Sequence, residues 1–96
     1  MKVVYEPAAV EELREAVDWY LVEAGWRQAE ALGDDVDARL TLLVRHPFSG
    51  TPGAHGIRSM PLRVFPYTLH YRVEGDVIRV FAVAHQRRRP GYWRKR

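Results

Sequence analysis

From Pro7 onward the spacing of apolar residues changes once, at residues 46–56, and this change restricts the folds that the chain can adopt. Before that segment, apolar residues recur every three or four positions, which is typical of helices with one buried face. After it, apolar and polar residues alternate, which is typical of strands. The segment itself, HPFSGTPGAHG, is rich in Pro, Gly, Ser and Thr and is predicted to be a connecting loop.

Two helices are predicted before this loop. The first follows Pro7, which is tolerated in a first helical turn, and Gly25 is placed to end it. The second runs from about Trp26 to Arg45, and Gly33 weakens it by about 1 kcal/mol relative to alanine. Because one glycine separates the two helices, we expect an antiparallel hairpin. The predicted buried stripes are Val10, Leu13, Val17, Tyr20, Leu21 and Ala24 in the first helix, and Ala29, Leu32, Val36, Leu40, Leu43 and Val44 in the second.

Strands are predicted on both sides of the helical hairpin. Residues 2–6 form the first, residues 65–73 alternate in polarity, and residues 77–84 are apolar at nearly every position. The last two form a hairpin whose second strand is central. With a further strand before this hairpin, starting in the segment GIRSMPL, the order is β-α-α-β-β-β, an α+β fold in which the helical hairpin packs on one face of a mostly antiparallel sheet. All 96 residues are predicted to form one domain, with a basic C-terminal tail at 86–96.

Charge is segregated along the chain. Residues 1–44 carry four basic and ten acidic residues, whereas residues 45–96 carry eleven basic and two acidic residues, so the net charge of +3 conceals a strong asymmetry. A concentrated basic surface attracts polyanions at long range, which indicates a nucleic-acid or acidic-protein partner. The alternative is a solvated basic face with no partner.

Several chemistries are disfavoured by the residues present. There is no cysteine, and the four histidines, at 46, 55, 70 and 85, lack the spacing of a helical metal pair. No glycine-rich phosphate loop or nucleophile elbow is found, so no metal and no cofactor is predicted. No apolar run reaches the roughly 20 residues that span a bilayer, and the chain is predicted to be soluble and cytoplasmic.

A metal-independent ribonuclease site is the chemistry that the residues leave open. RNA cleavage needs a base for the 2′-OH, an acid for the leaving oxygen and a cation for the phosphorane. If the last hairpin turns at Gly75, His70 pairs with Val80 and His85 with Phe65, which places the histidines on opposite faces of the sheet. A β-bulge would rescue their cooperation, and no pattern indicates one. The candidates for the three roles are His85, Arg58, Arg72, Arg87 and Tyr92.

Each candidate also has a purely structural interpretation. His85 can be a strand-end histidine bonded to the backbone, and Arg58 and Arg72 can be exposed strand positions. Tyr92 and Trp93 can stack on bases or on a partner helix, or they can fold back onto the domain. The aromatic residues of the helical hairpin, Trp19, Tyr20 and Trp26, are most simply core or hairpin-edge residues.

The chain resembles the RelE/ParE superfamily of toxins from bacterial type II toxin–antitoxin, or plasmid stabilisation, modules. The matching segments are PAAVEELREAVDWY, HPFSG, GIRSMPL, FPYTLHYRV and IRVFAVAHQ with the basic tail, and they cover essentially the whole length. The resemblance implies a small growth-inhibiting toxin, held inactive in a heteromeric complex with a cognate antitoxin whose C-terminal segment wraps across it.

Members of this superfamily differ in the cellular target on which they act. RelE-like members cut messenger RNA on the ribosome, whereas ParE-like members are similar to DNA gyrase poisons. The IRV…HQ ending and the HP-x-x-G loop resemble the ParE branch, and a ParE-like toxin acting on gyrase is the favoured interpretation. The basic, aromatic tail keeps the ribosome and mRNA open as the target, and a non-toxic interaction module is the third alternative.

These interpretations assign roles to particular residues. Catalysis, in the ribonuclease alternative, falls to His85, Arg87 and Tyr92. Binding of the target or of nucleic acid is assigned to Arg58, Arg72, Arg87, Arg88 and Arg89. Binding of the antitoxin is assigned to Trp19, Trp26, Tyr92 and Trp93.

Overall fold

The computed structural model describes residues 1–89 and 91–95, with the backbone alone described for Arg94 and Lys95. Pro90 and Arg96, which belong to the predicted basic tail at 86–96, lie outside the described residues. The predicted α+β fold is confirmed, with two helices on one face of a mixed sheet. The elements are β1 Lys2–Tyr5, α1 Pro7–Glu23, α2 Trp26–Arg45, β2 Thr51–Pro52, β3 Arg58–Pro61, β4 Tyr67–Glu74 and β5 Val77–His85, with 3₁₀ turns at Ala54–Gly56 and Tyr92–Lys95.

The sheet has the strand order β1-β5-β4-β3-β2. β1 is parallel to β5, and the other pairs are antiparallel, so β5 is central as predicted. β2 was not predicted; it is a two-residue edge strand within the segment predicted to be a loop. Its second residue is Pro52, which has no N–H to donate and suits an edge position.

The register of the last hairpin differs from the predicted one. Gly75, with φ of 61°, and Asp76 form a two-residue turn, so Glu74 pairs with Val77. This shift by one residue would bring His70 and His85 to the same face. A β-bulge at Phe81 then shifts the register again, because Tyr71 pairs with Val80 and His70 with Ala82, and His85 pairs with Tyr67. The histidines therefore do lie on opposite faces, although the predicted register was wrong and the bulge was not foreseen.

The helices begin and end close to their predicted bounds, but the buried face of α1 is rotated. Val10 and Leu21 are exposed, whereas Ala9 and Ala16 are buried. The prediction followed spacings of three and four residues, while close packing of α1 places Ala9 and Ala16 in the core. Among the other predicted stripe residues, Ala24 and Val44 are also exposed.

The core fills the space between the helices and one face of the sheet. Its largest fully buried side chains are Leu32, Val36 and Leu43 from α2, with Leu69 and Tyr71 from β4 and Ile78, Val80 and Val83 from β5. In residues 1–89 and 91–95, neither α1 nor α2 packs on the opposite face of the sheet, which we call the outer face.

One buried carboxylate on α2 fixes the β3–β4 loop. Asp35 is 7% exposed, and its oxygens accept the backbone N–H groups of Arg63, Val64 and Phe65 at 3.0, 2.8 and 3.0 Å. Burial alone would raise the pKa of Asp35, but these three donors and the nearby charge of Arg39 outweigh it and hold the pKa below its ordinary value. The loop therefore depends on an ionised side chain.

Replacement of Asp35 is expected to destabilise the fold strongly. In Asp35→Ala, three N–H groups lose their acceptor, and we expect a loss of about 3 kcal/mol in the free energy of unfolding, measured by urea denaturation. Because the pKa of Asp35 is lowered, its contribution is complete above the unfolded pKa and is lost as pH falls through the folded value. The stability difference between the wild type and Asp35→Asn should therefore shrink on acidification.

The neighbouring Asp34 supplies the matched control because its side chain is exposed. Asp34→Ala should change the free energy of unfolding by less than about 0.5 kcal/mol. Equal losses in the Asp34 and Asp35 variants would contradict the assignment of Asp35 as the loop anchor.

Candidate functional site

The basic tail leaves the sheet at His85 and folds back on the protein. The N–H of Gln86 donates to the carbonyl of Pro66 at 2.9 Å, and the N–H of Arg88 donates to the carbonyl of His85 at 2.9 Å. The N–H of Arg87 donates to Nδ1 of His85 at 3.1 Å. Nδ1 is therefore an acceptor, so a neutral His85 ring carries its proton on Nε2.

Tyr92 packs against α1 and the end of β5. Its hydroxyl donates to Oε2 of Glu12, while Oε1 of Glu12 accepts the N–H of Val83 at 3.0 Å. The guanidinium of Arg88 lies 4.0 Å from the centre of the Tyr92 ring. Sequence reasoning did not identify Glu12 as a site residue, because its role depends on which strand lies beside α1.

Trp93 lies on the outer face of the sheet. Its ring is 5.2 Å from that of His70 and 6.4 Å from that of Phe81, the bulged residue. Ala82 and Ala84 pair with the outer-face residues of β4 and are buried, although no helix covers this face in the described residues. The aromatic residues of the tail therefore fold back onto the domain, with Tyr92 on the helix side and Trp93 on the outer side.

The arginines of the tail remain at the surface. Arg87, Arg88 and Arg89 are exposed and consecutive, and the contacts of His85 and Tyr92 hold the backbone on either side of them. The structure thus presents three of the predicted target-binding residues as one basic surface. We call residues 87–89 the arginine cluster.

Arg72, another predicted binding residue, belongs to an ion-pair network on the outer face. Nε and Nη2 of Arg72 donate to Glu74 at 2.8 and 2.6 Å, and Nε of its cross-strand partner Arg79 donates to the same carboxylate at 2.8 Å. Bonds from Arg79 and Arg72 hold the pKa of Glu74 below its ordinary value. The Arg72 guanidinium also lies 5.0 Å from the centre of the Phe81 ring, so Arg72 is separate from the arginine cluster in its contacts.

Arg58 contacts the HPFSG segment. Its Nη1 donates to the carbonyls of Phe48 and Gly50 at 3.0 and 2.9 Å. The fully buried Tyr71 holds the same segment, because its hydroxyl donates to the carbonyl of Pro47 at 2.7 Å and accepts the N–H of Gly50 at 2.9 Å. Burial raises the pKa of Tyr71, which keeps the hydroxyl protonated as a donor.

The two strand histidines have different surroundings. The ring of His70 lies 3.0 Å from Oγ of Ser59 on the outer face, and the ring of His85 contacts Tyr67 on the helix face at 5.1 Å. His85 and Tyr92 line one cavity of about 220 Å³ beside α1. Of the predicted catalytic residues, His85 and Tyr92 thus share a cavity and Arg87 contacts His85 through its backbone N–H, while Arg58 and Arg72 make their contacts elsewhere.

An apolar patch lies where the two helices meet. Trp19, Val22 and Trp26 are 57%, 81% and 61% exposed. Trp19 packs edge-to-face on Tyr20 at 4.9 Å, which anchors it to the core, and it also lines the cavity of about 220 Å³. Trp19 and Trp26 therefore occupy hairpin-edge positions rather than core positions. We call Trp19, Val22 and Trp26 the hairpin patch.

Residues 1–89 and 91–95 contain no group of three His, Cys, Asp or Glu side chains placed to hold a metal ion. In the same part of the chain, no helix combines the length and the apolarity needed to cross a membrane. The site is therefore described by its arginines, its aromatic rings and the Glu12 carboxylate.

Comparison with known proteins identifies the family. Residues 3–90 match the family described as ParE toxin of the type II toxin–antitoxin system parDE. A solved structure of the chromosomal ParDE toxin–antitoxin system from P. aeruginosa shares the fold, with a TM-score of 0.75 and 23% identity over 88% of this chain and 95% of that chain. No curated protein matches. The chain belongs to the ParE toxin family of type II toxin–antitoxin systems, and the predicted ParE branch is confirmed.

Two glycine substitutions test the loop geometry around Arg58. A Cβ at Gly50 would lie 2.6 Å from the Tyr71 hydroxyl, whereas one at Gly33, within α2, would meet no atom within 4 Å. We expect Gly50→Ala to lower the free energy of unfolding by about 2 kcal/mol through overpacking. Gly33→Ala, the matched control, should raise it by about 0.5–1 kcal/mol because alanine favours the helix. The free energy of unfolding of both variants is measured by urea denaturation. An unchanged free energy of unfolding in Gly50→Ala would contradict the close approach of Tyr71.

Proposed function

We propose that this ParE family member inhibits growth by binding and poisoning DNA gyrase, and that a cognate antitoxin neutralises it in a heteromeric complex. The observation that carries the proposal is the exposed arginine cluster, which is held by contacts of the tail with β5 and α1. A cytoplasmic location would follow, because gyrase acts on intracellular DNA, and a role in plasmid stabilisation belongs to the same proposal.

The electrostatics of the chain support a target with negative charge. The arginine cluster consists of three consecutive exposed arginines, and the second half of the sequence is strongly basic. Such a surface speeds encounter with an acidic protein surface or with DNA bound to it, and its effect weakens as salt increases.

The geometry supports action by binding more than RNA cleavage. General acid–base catalysis needs two proton-transfer groups that both reach the substrate. His70 and His85 contact opposite faces of the sheet, Nδ1 of His85 accepts the Arg87 N–H, and the Tyr92 hydroxyl donates to Glu12. These bonds occupy groups that a ribonuclease mechanism would use.

The gyrase proposal predicts a role for the arginine cluster. The double variant Arg87→Ala/Arg89→Ala, which leaves Arg88 on Tyr92, should raise the concentration of toxin needed for half-inhibition of supercoiling about five- to tenfold. Purified gyrase and plasmid DNA are sufficient for this measurement, with gyrase-linked linear DNA as a second readout.

The control removes the same charge elsewhere. Lys2→Ala/Arg45→Ala takes two exposed basic residues from β1 and the end of α2, and it should leave gyrase inhibition nearly unchanged. Equal weakening of both double variants would mean that net charge acts rather than the cluster. If toxic protein leaves gyrase unaffected and His85→Ala or Tyr92→Phe relieves toxicity, the ribosome and mRNA become the target. Expression without antitoxin that leaves growth unchanged would favour the non-toxic module.

The hairpin patch supports the antitoxin part of the proposal. Exposed tryptophans are unusual on a free surface and are enriched among residues that dominate binding energy. Trp19 and Trp26 are more than half exposed, and Val22 is more so. A disordered apolar and acidic segment could fold against this patch and the adjoining cavity, as antitoxins are expected to do. Tyr92 and Trp93, also predicted to bind the antitoxin, pack on the toxin itself and would contribute their exposed edges.

We expect Trp19→Ala and Trp26→Ala each to weaken antitoxin binding by about 2 kcal/mol, measured by calorimetry with the antitoxin encoded beside this chain. Phe48→Ala is the matched control, because Phe48 is an equally exposed aromatic residue in the HPFSG loop. All three variants should inhibit gyrase as the wild type does. Unchanged antitoxin affinity in both tryptophan variants would move the antitoxin site away from the hairpin patch.

A further inference from the structure

We propose that Glu12 is a positioning residue: its carboxylate, on α1, holds the basic tail against the open end of β5 and thereby sets the affinity of the arginine cluster for the target. This inference rests on the proposed function, because it concerns how the tail meets the target. Glu12 has no direct part in that contact; it acts through Tyr92.

The argument begins with unequal strand lengths. β1 ends at Tyr5, which pairs with Val80, because Pro7 starts α1 and turns the chain away. β5 continues to His85, so the residues after Val80 have no β1 partner in that direction. α1 runs beside this stretch of β5, and Glu12 accepts the N–H of Val83 at 3.0 Å in the place of a strand carbonyl.

The same carboxylate reaches the tail. Oε2 of Glu12 accepts the Tyr92 hydroxyl, so one side chain bonds to β5 through one oxygen and to the tail through the other. Hydrogen bonds to a carboxylate are stronger than neutral ones, and a carboxylate bonded at both oxygens is restricted in orientation. The Arg88 guanidinium, over the Tyr92 ring, extends this contact to the arginine cluster.

The consequence for binding is entropic. The arginine cluster lies between two attachments, one at His85 and one at Tyr92. Loss of the Glu12–Tyr92 bond would remove one attachment while the packing of Trp93 remains, so the arginine cluster would be less restricted and the target would have to order more of it on binding. Restriction of the free tail therefore raises affinity without any direct contact between Glu12 and the target.

The test uses the full-length chain with Glu12→Ala, Glu12→Gln, Tyr92→Phe and the double variant Glu12→Ala/Tyr92→Phe. Trypsin cleavage after Arg87 and Arg88, followed by mass spectrometry, reports release of the tail independently of any target. Inhibition of gyrase supercoiling reports target affinity. The melting temperature and the antitoxin affinity show whether the rest of the fold is intact.

We expect Glu12→Ala and Tyr92→Phe each to accelerate tail cleavage and to weaken gyrase inhibition, by about tenfold for the alanine variant. The double variant should be no worse than Glu12→Ala, because the two residues form one interaction. Glu12→Gln should stay within about threefold of the wild type, since its amide can accept from Val83 and donate to the Tyr92 oxygen. Glu30→Ala is the charge-matched control, because Glu30 is exposed on α2 and does not line the cavity beside Tyr92, and it should match the wild type on every readout.

Four results would overturn the inference. Unchanged tail cleavage in Glu12→Ala would show that Glu12 does not hold the tail. Faster cleavage with unchanged gyrase inhibition would show that tail position is irrelevant to a target the wild type still inhibits. Parallel losses of melting temperature and antitoxin affinity would reduce Glu12 to a structural role. If the wild type itself fails to inhibit gyrase, the proposed function fails, and this inference fails with it.

Discussion

The difference in length between two paired strands organises this protein. β1 spans Lys2–Tyr5 and covers only the first part of β5, which spans Val77–His85. Unpaired backbone groups of a central strand must find other partners, because burying them unbonded is costly. Here Glu12 accepts the N–H of Val83, and the carbonyl of His85, at the end of β5, accepts the N–H of Arg88. The candidate site therefore lies where the sheet is left incomplete by the short first strand.

Polar side chains that bond to backbone groups hold the irregular segments. Asp35 accepts three N–H groups of the β3–β4 loop, and Tyr71 and Arg58 bond to the HPFSG segment. Each provides in the interior the bonds that water would provide to a free loop. The same principle operates at the tail, where Glu12 bonds to Val83 and Tyr92. Loops and tail are thus positioned by a few specific acceptors on the rigid elements.

The segregation of charge along the sequence has a structural counterpart. The helices are acidic, and the sheet and tail are basic, so carboxylates from one half meet arginines and backbone donors from the other. Glu6 lies 3.7 Å from Arg79, and Glu12 lies at the attachment of the tail. Outside these contacts the arginine cluster stays exposed. Internal pairing therefore leaves the positive charge concentrated at one end of β5.

The sequence by itself determined the order of elements, the helical hairpin, the central position of β5 and the family, because periodicity, Pro7 and Gly25 are local signals. Tertiary structure decided the rest. The bulge at Phe81 and the exposure of Val10 depend on packing between elements distant in the chain, so the spacing of residues in the sequence does not predict them. The role of Glu12 has the same origin, because 71 residues separate it from Val83 and only the fold brings them together.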